Sequence, residues 1–381
     1  MRTAASTSAS APRTMPPPMT DIDSRKHDHI DLCATGDVGF RDKTTLFDQV
    51  ELVHDSLPEL DVDEIDTRRK ILGKELRLPI FISAMTGGTA RARDINRQLA
   101  EIAERRGIGF GLGSQRAMLD PAAAKDETYV VRDVAPTTLI LGNLGGVQAM
   151  ATTTDAARSL VERVGADALC VHLNPAQELV QPGGDRGFKG VLAAIERLVE
   201  ELGVPVVAKE TGCGIGPRAA EKLARIGVRH VDVSGSGGTS WVAVEAARAE
   251  GTARALGLAL RDWGIPTAAS VVFCQNARPR FKTIIATGGV SSGLDVARAI
   301  ALGATVAGIA RPVLQALLEG GPEKADAFLA QVELELKSAM LLAGCKTLYD
   351  LEQADLIIGA GLERWAPSSV RSGSSLSRRN R

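Results

Sequence analysis

Eight short apolar runs, each followed by a stretch of helical periodicity, constrain this chain more than any other feature. They read "PIFISA" (79–84), "IGFGLG" (108–113), "TLILGN" (138–143), "ALCVHL" (168–173), "VPVVAK" (204–209), "HVDVSG" (230–235), "TIIATG" (283–288) and "TVAGIA" (305–310). None alternates strictly between apolar and polar residues, which is the pattern of parallel strands covered on both faces. A further run, "PTAASVVF" (266–273), opens on proline, threonine and two alanines. Proline suits the first turn of a helix, so this run is assigned to a helix. Eight strand–helix units in series predict a closed (β/α)8 TIM barrel of the α/β class. A doubly wound sheet is the rival, but the chain carries no G-x-G-x-x-G.

The connectors fit this reading. "ARDINRQLAEIAERRG" places Ile95, Leu99, Ile102 and Ala103 on one face and stops at Gly107, a C-cap signal. "DAARSLVERVG" and "GPRAAEKLARIG" follow the same plan. Ahead of the barrel, "TRRKILGKELRLP" predicts a hairpin turning at Gly73-Lys74 that closes the barrel's bottom. Behind it, "PEKADAFLAQVELELKSAMLLAG" predicts one long amphipathic helix. Residues 21–365 therefore form one barrel domain with an N-terminal lid segment. Residues 1–20 are Ser/Thr/Pro-rich, free of acids and without the apolar core of a signal peptide; they are expected to be a disordered extension. The basic tail 366–381 is expected to be disordered as well.

Charge and cysteine usage narrow the function classes. With 45 basic and 46 acidic residues, the chain offers no general electrostatic attraction for nucleic acid or an anionic membrane. No apolar run approaches the ~20 residues that span a bilayer. The 5 cysteines are scattered, with no C-x-x-C spacing. That argues against a disulfide framework or zinc site and fits a reducing, cytoplasmic setting.

In such a barrel the chemistry lies at the carboxyl ends of the strands. Nearly every strand here ends in small or polar residues: "SAMTGG", "GSQR", "GNLGG", "HLNPAQE", "AKETG", "SGSGGTSW", "TGGVSSG" and "GIARP". Turn chemistry explains the glycines singly, but not Gln115-Arg116, Lys209-Glu210 and the His172, Asn174, Gln177, Glu178 set on one rim. "TGGVSSGLDVARAIALGA" places two glycines and two serines before a helix whose N–H groups favour an anion, and with "GIARP" in the next loop a phosphate-bearing ligand is expected at the ends of strands 7 and 8. Lys209, at the end of an apolar strand, must be paired, neutralised or used. An ion pair with Glu210 or a neighbouring acid, a Schiff base, and a contact to a broad planar cofactor are the open readings.

Taken together, "SRKHDHI", "SAMTGGT", "GLGSQRAML", "LGNLGG", "HLNPAQE", "VAKETGCGI", "DVSGSGGTSW", "WGIPTAAS" and "ATGGVSSGLD" resemble the flavin-dependent type 2 isopentenyl diphosphate isomerases, over about residues 24–365. The resemblance implies FMN in the barrel mouth and conversion of isopentenyl diphosphate to dimethylallyl diphosphate by a 1,3-proton shift. It also implies reduced FMN, generated by NADPH and serving as acid and base, with Mg2+ on the diphosphate. By motif, Ala84, Met85, Thr86, Ser114, Asn143, Lys209, Ser234, Thr239, Gly288, Gly289, Ala310 and Arg311 look like FMN contacts. Arg25, Lys26, His29, Ser114, Gln115, Arg116 and Gln177 look like substrate contacts, and Glu178 like the Mg2+ ligand. His172, Asn174 and Gln177 would line the reacting face, with Trp241 and Glu245 lying over it. Asp28 stands where a glutamate is common, and Ser291 where an arginine is frequent. Family members form homo-oligomers, tetramers or octamers. An FMN-barrel oxidoreductase and a non-catalytic flavin binder are the alternatives.

Overall fold

The computed structural model describes residues 21–120 and 125–365, with side chains from residue 24 onward. The expected disordered segments 1–20 and 366–381 lie outside the described residues. Eight parallel strands close a barrel: β1 (Ile80–Ile82), β2 (Gly109–Gly111), β3 (Ile140–Gly145), β4 (Ala168–Leu173), β5 (Val206–Glu210), β6 (His230–Asp232), β7 (Thr283–Ala286) and β8 (Val306–Ile309). Each pairs with its sequence neighbours, and β8 returns to β1 through Ala307 opposite Ile80. All eight expected strands are present, and 267–273 falls in the helix Thr267–Asn276 with Pro266 as its N-cap, in keeping with the helix assignment. Closure rather than an open sheet follows from that last β8–β1 pairing.

The helices that cover the barrel carry the expected signals. Ala90–Arg106 begins with the Thr89 side chain accepting from the Ala92 amide and ends at Gly107 in the left-handed region. The C-terminal helix Arg311–Leu342 is interrupted at Gly320 and Gly321, so its second leg begins at Pro322, where the sequence placed it.

The bottom of the barrel is plugged by a hairpin pairing Arg69–Ile71 with Lys74–Leu76. Its turn residues are Leu72 and Gly73, both at positive φ, rather than the expected Gly73-Lys74. Two positive-φ residues in a two-residue loop match the twist of the flanking strands. Ile71 and Leu76 thereby pack on Phe81, Leu139, Leu141, Val207, Ile285 and Val306 inside the barrel. Lys74 is anchored by Asp167 at 3.0 Å and by the carbonyls of Thr137 and Thr138.

Two segments outside the barrel govern its mouth. The helix Asp21–Thr35, which contains the "RKHDH" run, lies against Arg311–Leu342 and Trp241–Arg248 and buries Ile30 and Cys33. A two-stranded antiparallel pair joins Val50–Leu52 to Leu356–Ile358, tying the segment after this helix to the end of the described chain. Sequence reading did not foresee that pairing.

Candidate active site

A cavity of about 490 Å³ opens at the carboxyl ends of the strands, within the range of small-molecule and cofactor sites. Of the expected flavin contacts, Ala84, Met85, Thr86, Ser114, Asn143, Lys209, Ser234, Thr239, Gly288, Gly289, Ala310 and Arg311 all line it. So do Arg25, Lys26, His29, Arg116, His172, Asn174, Gln177, Glu178 and Trp241. Residues drawn from every strand end and from the N-terminal helix thus converge on one space.

The floor is built by β5, β6 and β7. Lys209 of β5 lies in register with Asp232 of β6, and its ammonium sits 3.0 Å from the Asp232 carboxylate. Lys209 also donates to the Glu210 carbonyl at 3.1 Å. Of the three readings for Lys209, pairing with a neighbouring acid is present, and the acid is Asp232 rather than Glu210. The Glu210 carboxylate turns instead into the following loop, accepting from the amides of Thr211, Cys213 and Gly214. Burial pushes that carboxyl up to about 8, against the pull of those three donors. The β6 and β7 loops meet backbone to backbone. Gly288 has φ +100°, and a Cβ there would fall 2.1 Å from the Gly235 carbonyl oxygen. Only glycine permits that approach.

One wall is set by β3 and β4. The Asn143 amide nitrogen donates to the Leu112 carbonyl at 3.0 Å, which turns its oxygen toward His172 Nδ1 at 2.9 Å. That assignment puts the proton on Nδ1 and leaves Nε2 as an acceptor. Burial, with Lys209 and Lys26 nearby, pushes the imidazole down to about 3, so His172 is neutral at pH 7. Further along, Asn174 donates to Glu178 Oε1 at 2.9 Å and the Asp185 amide to Glu178 Oε2 at 2.8 Å. These bonds aim the carboxylate and still leave it acceptor capacity.

The N-terminal helix forms the roof. Burial, with Arg25 adjacent, lowers Lys26 to about 8. His29 Nε2 lies 3.0 Å from Glu245 Oε1, and its ring meets Trp241 edge-on with centroids 5.3 Å apart. Burial holds His29 below the usual histidine range, so at neutral pH it donates as a neutral ring. Glu245 also accepts from Gln177 at 2.9 Å and from Arg248 at 3.2 Å. Burial would raise its carboxyl, but the bonds from His29 and Gln177 outweigh it and keep it below the ordinary value. Glu245 is therefore fully buried behind Gln177, not over the cavity as expected, and Trp241 alone of that pair faces the space. The shorter Asp28 still reaches Arg248, at 3.0 Å.

Three further expectations meet a different arrangement. Gln115 does not reach the cavity: its side chain is fully buried, donating to the Leu160 carbonyl at 3.0 Å and accepting from the Asn143 amide at 2.8 Å. It braces the wall instead of a ligand. Arg311 borders the space, but its guanidinium donates to the Cys33 and Gly36 carbonyls, capping the end of the roof helix. The helix after β7, Gly293–Ala301, has its first turn occupied by protein side chains. The Ser292 hydroxyl accepts from Asp295, the Ser291 amide donates to the Asp295 carboxylate, and the Gly293 amide donates to Glu335. The room left for an anion is at Gly288-Gly289 and the uncapped first turn at Ala310–Pro312, the ends of strands 7 and 8, which border the cavity. Asp232 and Ser83 were missed as site-forming residues. Only "HVDVSG" beside "VVAKE" hinted at a charge pair across neighbouring strands.

The match to known proteins is extensive. The family model described as FMN-dependent dehydrogenase covers residues 19–358. The isopentenyl-diphosphate delta-isomerase of Methanothermobacter thermautotrophicus is 44% identical over 344 residues, 90% of this chain and 95% of that protein. The one from Halobacterium salinarum is 43% identical over 345 residues, 89% of this chain and 94% of that protein. This chain belongs to the isopentenyl-diphosphate delta-isomerase family. Among solved structures, an Arg-to-Lys mutant of flavocytochrome b2 aligns with a TM-score of 0.63 at 20% identity, covering 93% of this chain and 90% of that one. At that identity the likeness speaks for the fold alone.

The isomerase-family site has the donors an FMN requires. Ser83 Oγ and Thr86 Oγ1 are buried at the cavity's edge without a hydrogen-bond partner among the described residues. Buried hydroxyls are seldom left so, and a polar ring edge or ribityl chain would satisfy them. The Gly288-Gly289 cradle suits a phosphate, and Lys209 supplies a cation at the floor. For a metal the donor set is sparse: no group of three His, Cys, Asp or Glu side chains is found among the described residues. Among the described residues Glu178 is the one carboxylate that lines the cavity, so a divalent ion there would draw its remaining ligands from substrate oxygens and water, the usual habit of Mg2+.

Proposed function

We propose that this enzyme converts isopentenyl diphosphate to dimethylallyl diphosphate with FMN in its reduced form and Mg2+ on the diphosphate. One observation carries the reading. The cavity holds a platform for a flavin and, separately, Arg25, Lys26, Arg116 and Glu178, a cationic and carboxylate set that flavin binding alone does not need. When bound, reduced FMN supplies the acid and base for the 1,3-proton shift.

The chain's own residues do the rest. Arg25, Lys26 and Arg116 neutralise the diphosphate, with the arginines offering bidentate contacts. Glu178, aimed by Asn174 and the Asp185 amide, receives the metal. An allylic C–H is a very weak acid and an alkene a very weak base, so the reacting carbons must be held close and dry. The roof helix excludes water, and Trp241 presents an apolar face to the hydrocarbon. Gln177, fixed by Glu245, and neutral His172, fixed by Asn143, orient the alkene. The resemblance extends to a cytoplasmic homo-oligomer, tetramer or octamer, which light scattering would test.

The deciding experiment is an anaerobic assay with FMN, Mg2+, NADPH and isopentenyl diphosphate. Dimethylallyl diphosphate should accumulate far beyond NADPH loss. Loss of NADPH in step with product would replace this reading with an oxidoreductase, and bound flavin without any product would leave a flavin binder.

A further inference from the structure

Lys209 and Asp232 form a buried ion pair at the barrel floor, with side-chain exposures of 9% and 6%. Burying two charges costs more than a surface pair, so such a pair is poor evidence for stability and invites another purpose. The surroundings sharpen the point. Asp232 Oδ2 holds the Lys209 ammonium, while Oδ1 accepts from the Thr287 hydroxyl and from the Ser234 amide at 3.2 Å. Lys209, Thr287 and Ser234 all border the main cavity, whereas Asp232 lies one layer below it. Ser234 is moreover one of few non-glycine residues at positive φ, 35°, a conformation its neighbours must hold in place. The other titratable groups facing this pair add little charge. His172 of β4 is neutral, burial pushes the Cys170 thiol up to about 12 and keeps it protonated, and burial raises the Glu210 carboxyl to about 8, which leaves it largely uncharged at pH 6.

We propose that Asp232 is a positioning residue that aims Lys209 at the floor of the cavity and cancels most of its charge there, thereby setting the reduction potential of the bound flavin. This rests on the proposed FMN site. A net positive floor favours the anionic reduced cofactor, and a net negative floor disfavours it. With both residues present the pair is close to neutral. Removing either member should move the potential in opposite directions, which a purely structural role would not do.

The test is a charge cycle on the holoenzyme, with flavin midpoint potentials measured at pH 6 for the natural protein, Asp232→Asn, Lys209→Met and the double variant. Asp232→Asn leaves a net positive floor. It should favour reduced over oxidised FMN by about tenfold more than the natural protein, a rise of ~30 mV for a two-electron couple. Lys209→Met should lower the potential by a similar amount, and the double variant should return close to the natural value. Should Asp232→Asn fail to fold, Lys209→Met against the double variant, a neutral pair, carries the same comparison. Equal potentials across the cycle, or shifts of one sign in both single variants, overturn the inference. A natural protein that binds no FMN would instead overturn the functional reading itself, so the two failures are told apart.

Discussion

The two ends of the barrel are built from the same eight strands and reach opposite solutions. At the bottom, the hairpin around Leu72-Gly73 seals the interior, and Phe81, Leu139, Leu141, Val207, Ile285 and Val306 fill it with apolar side chains. At the mouth, the same strands end in small and polar residues that enclose about 490 Å³, with the Ser83 and Thr86 hydroxyls unpartnered among the described residues and a buried ion pair at the floor. Each strand thus serves two tasks along its length. Its first residues stabilise the fold, and its last residues give up packing to leave room for ligands.

The strongest way to break that division is Leu139→Ala at the bottom. Its side chain is fully buried, so the variant should lose about 2–5 kcal/mol of stability. Chemical denaturation would show this, while FMN affinity stays near normal; an equal loss of flavin binding would mean the two ends are not independent. At the mouth, Glu178→Gln should do the reverse. We expect the Mg2+ needed for half-maximal rate to rise about a hundredfold, with thermal stability and bound flavin unchanged. A metal dependence matching the natural protein removes the metal role.

Gln115→Leu probes the boundary between the ends. Because Gln115 pairs the Asn143 amide and the Leu160 carbonyl, the variant should cost roughly 1–3 kcal/mol in stability. Its KM for isopentenyl diphosphate should hardly change, and a large rise in KM with intact stability would restore a substrate contact. The smallest effect concerns the roof. Lys26, lowered to about 8, loses its charge in the free enzyme as pH rises through that value. The kcat/KM should therefore fall about tenfold above pH 8, roughly the worth of one charged contact. Lys26→Arg should abolish the break, since arginine stays charged. Folding stability moves the other way. The unfolded chain keeps the proton up to the ordinary lysine value of 10.5 while the folded one gives it up near 8, so stability rises with pH in that window. A kcat/KM profile for Lys26→Arg that still breaks near 8 points to another group.

The barrel was legible because its signal is local. Each strand is a short apolar run ending in polar residues, and Pro266 with the Thr-Ala-Ala after it separated helix from strand at the ninth candidate. What escaped was set by distant partners. The hairpin turn moved by one residue because the pairing of Arg69 with Leu76 and of Ile71 with Lys74 fixes the register, even though it puts Leu72 at positive φ. The partner of Lys209 was hidden because sequence adjacency pointed to Glu210, whereas strand register brought Asp232. Gln115 and Arg311 carried polar side chains on the right rim, yet spend them on carbonyls and amides of neighbouring elements. Motif position locates a residue on the rim, and only the fold says which way its side chain turns.

The pairing of Val50–Leu52 with Leu356–Ile358 has a consequence for the order of assembly. The segment leading from the roof helix is pinned by a strand made some three hundred residues later, and the roof helix itself is capped by Arg311 and Gln315. On a growing chain those anchors do not yet exist when the roof sequence leaves the ribosome. The cover of the mouth can therefore close only once the last barrel strand and the helix after it have been made, so that roof and cavity lining are finished by the same late stretch of chain.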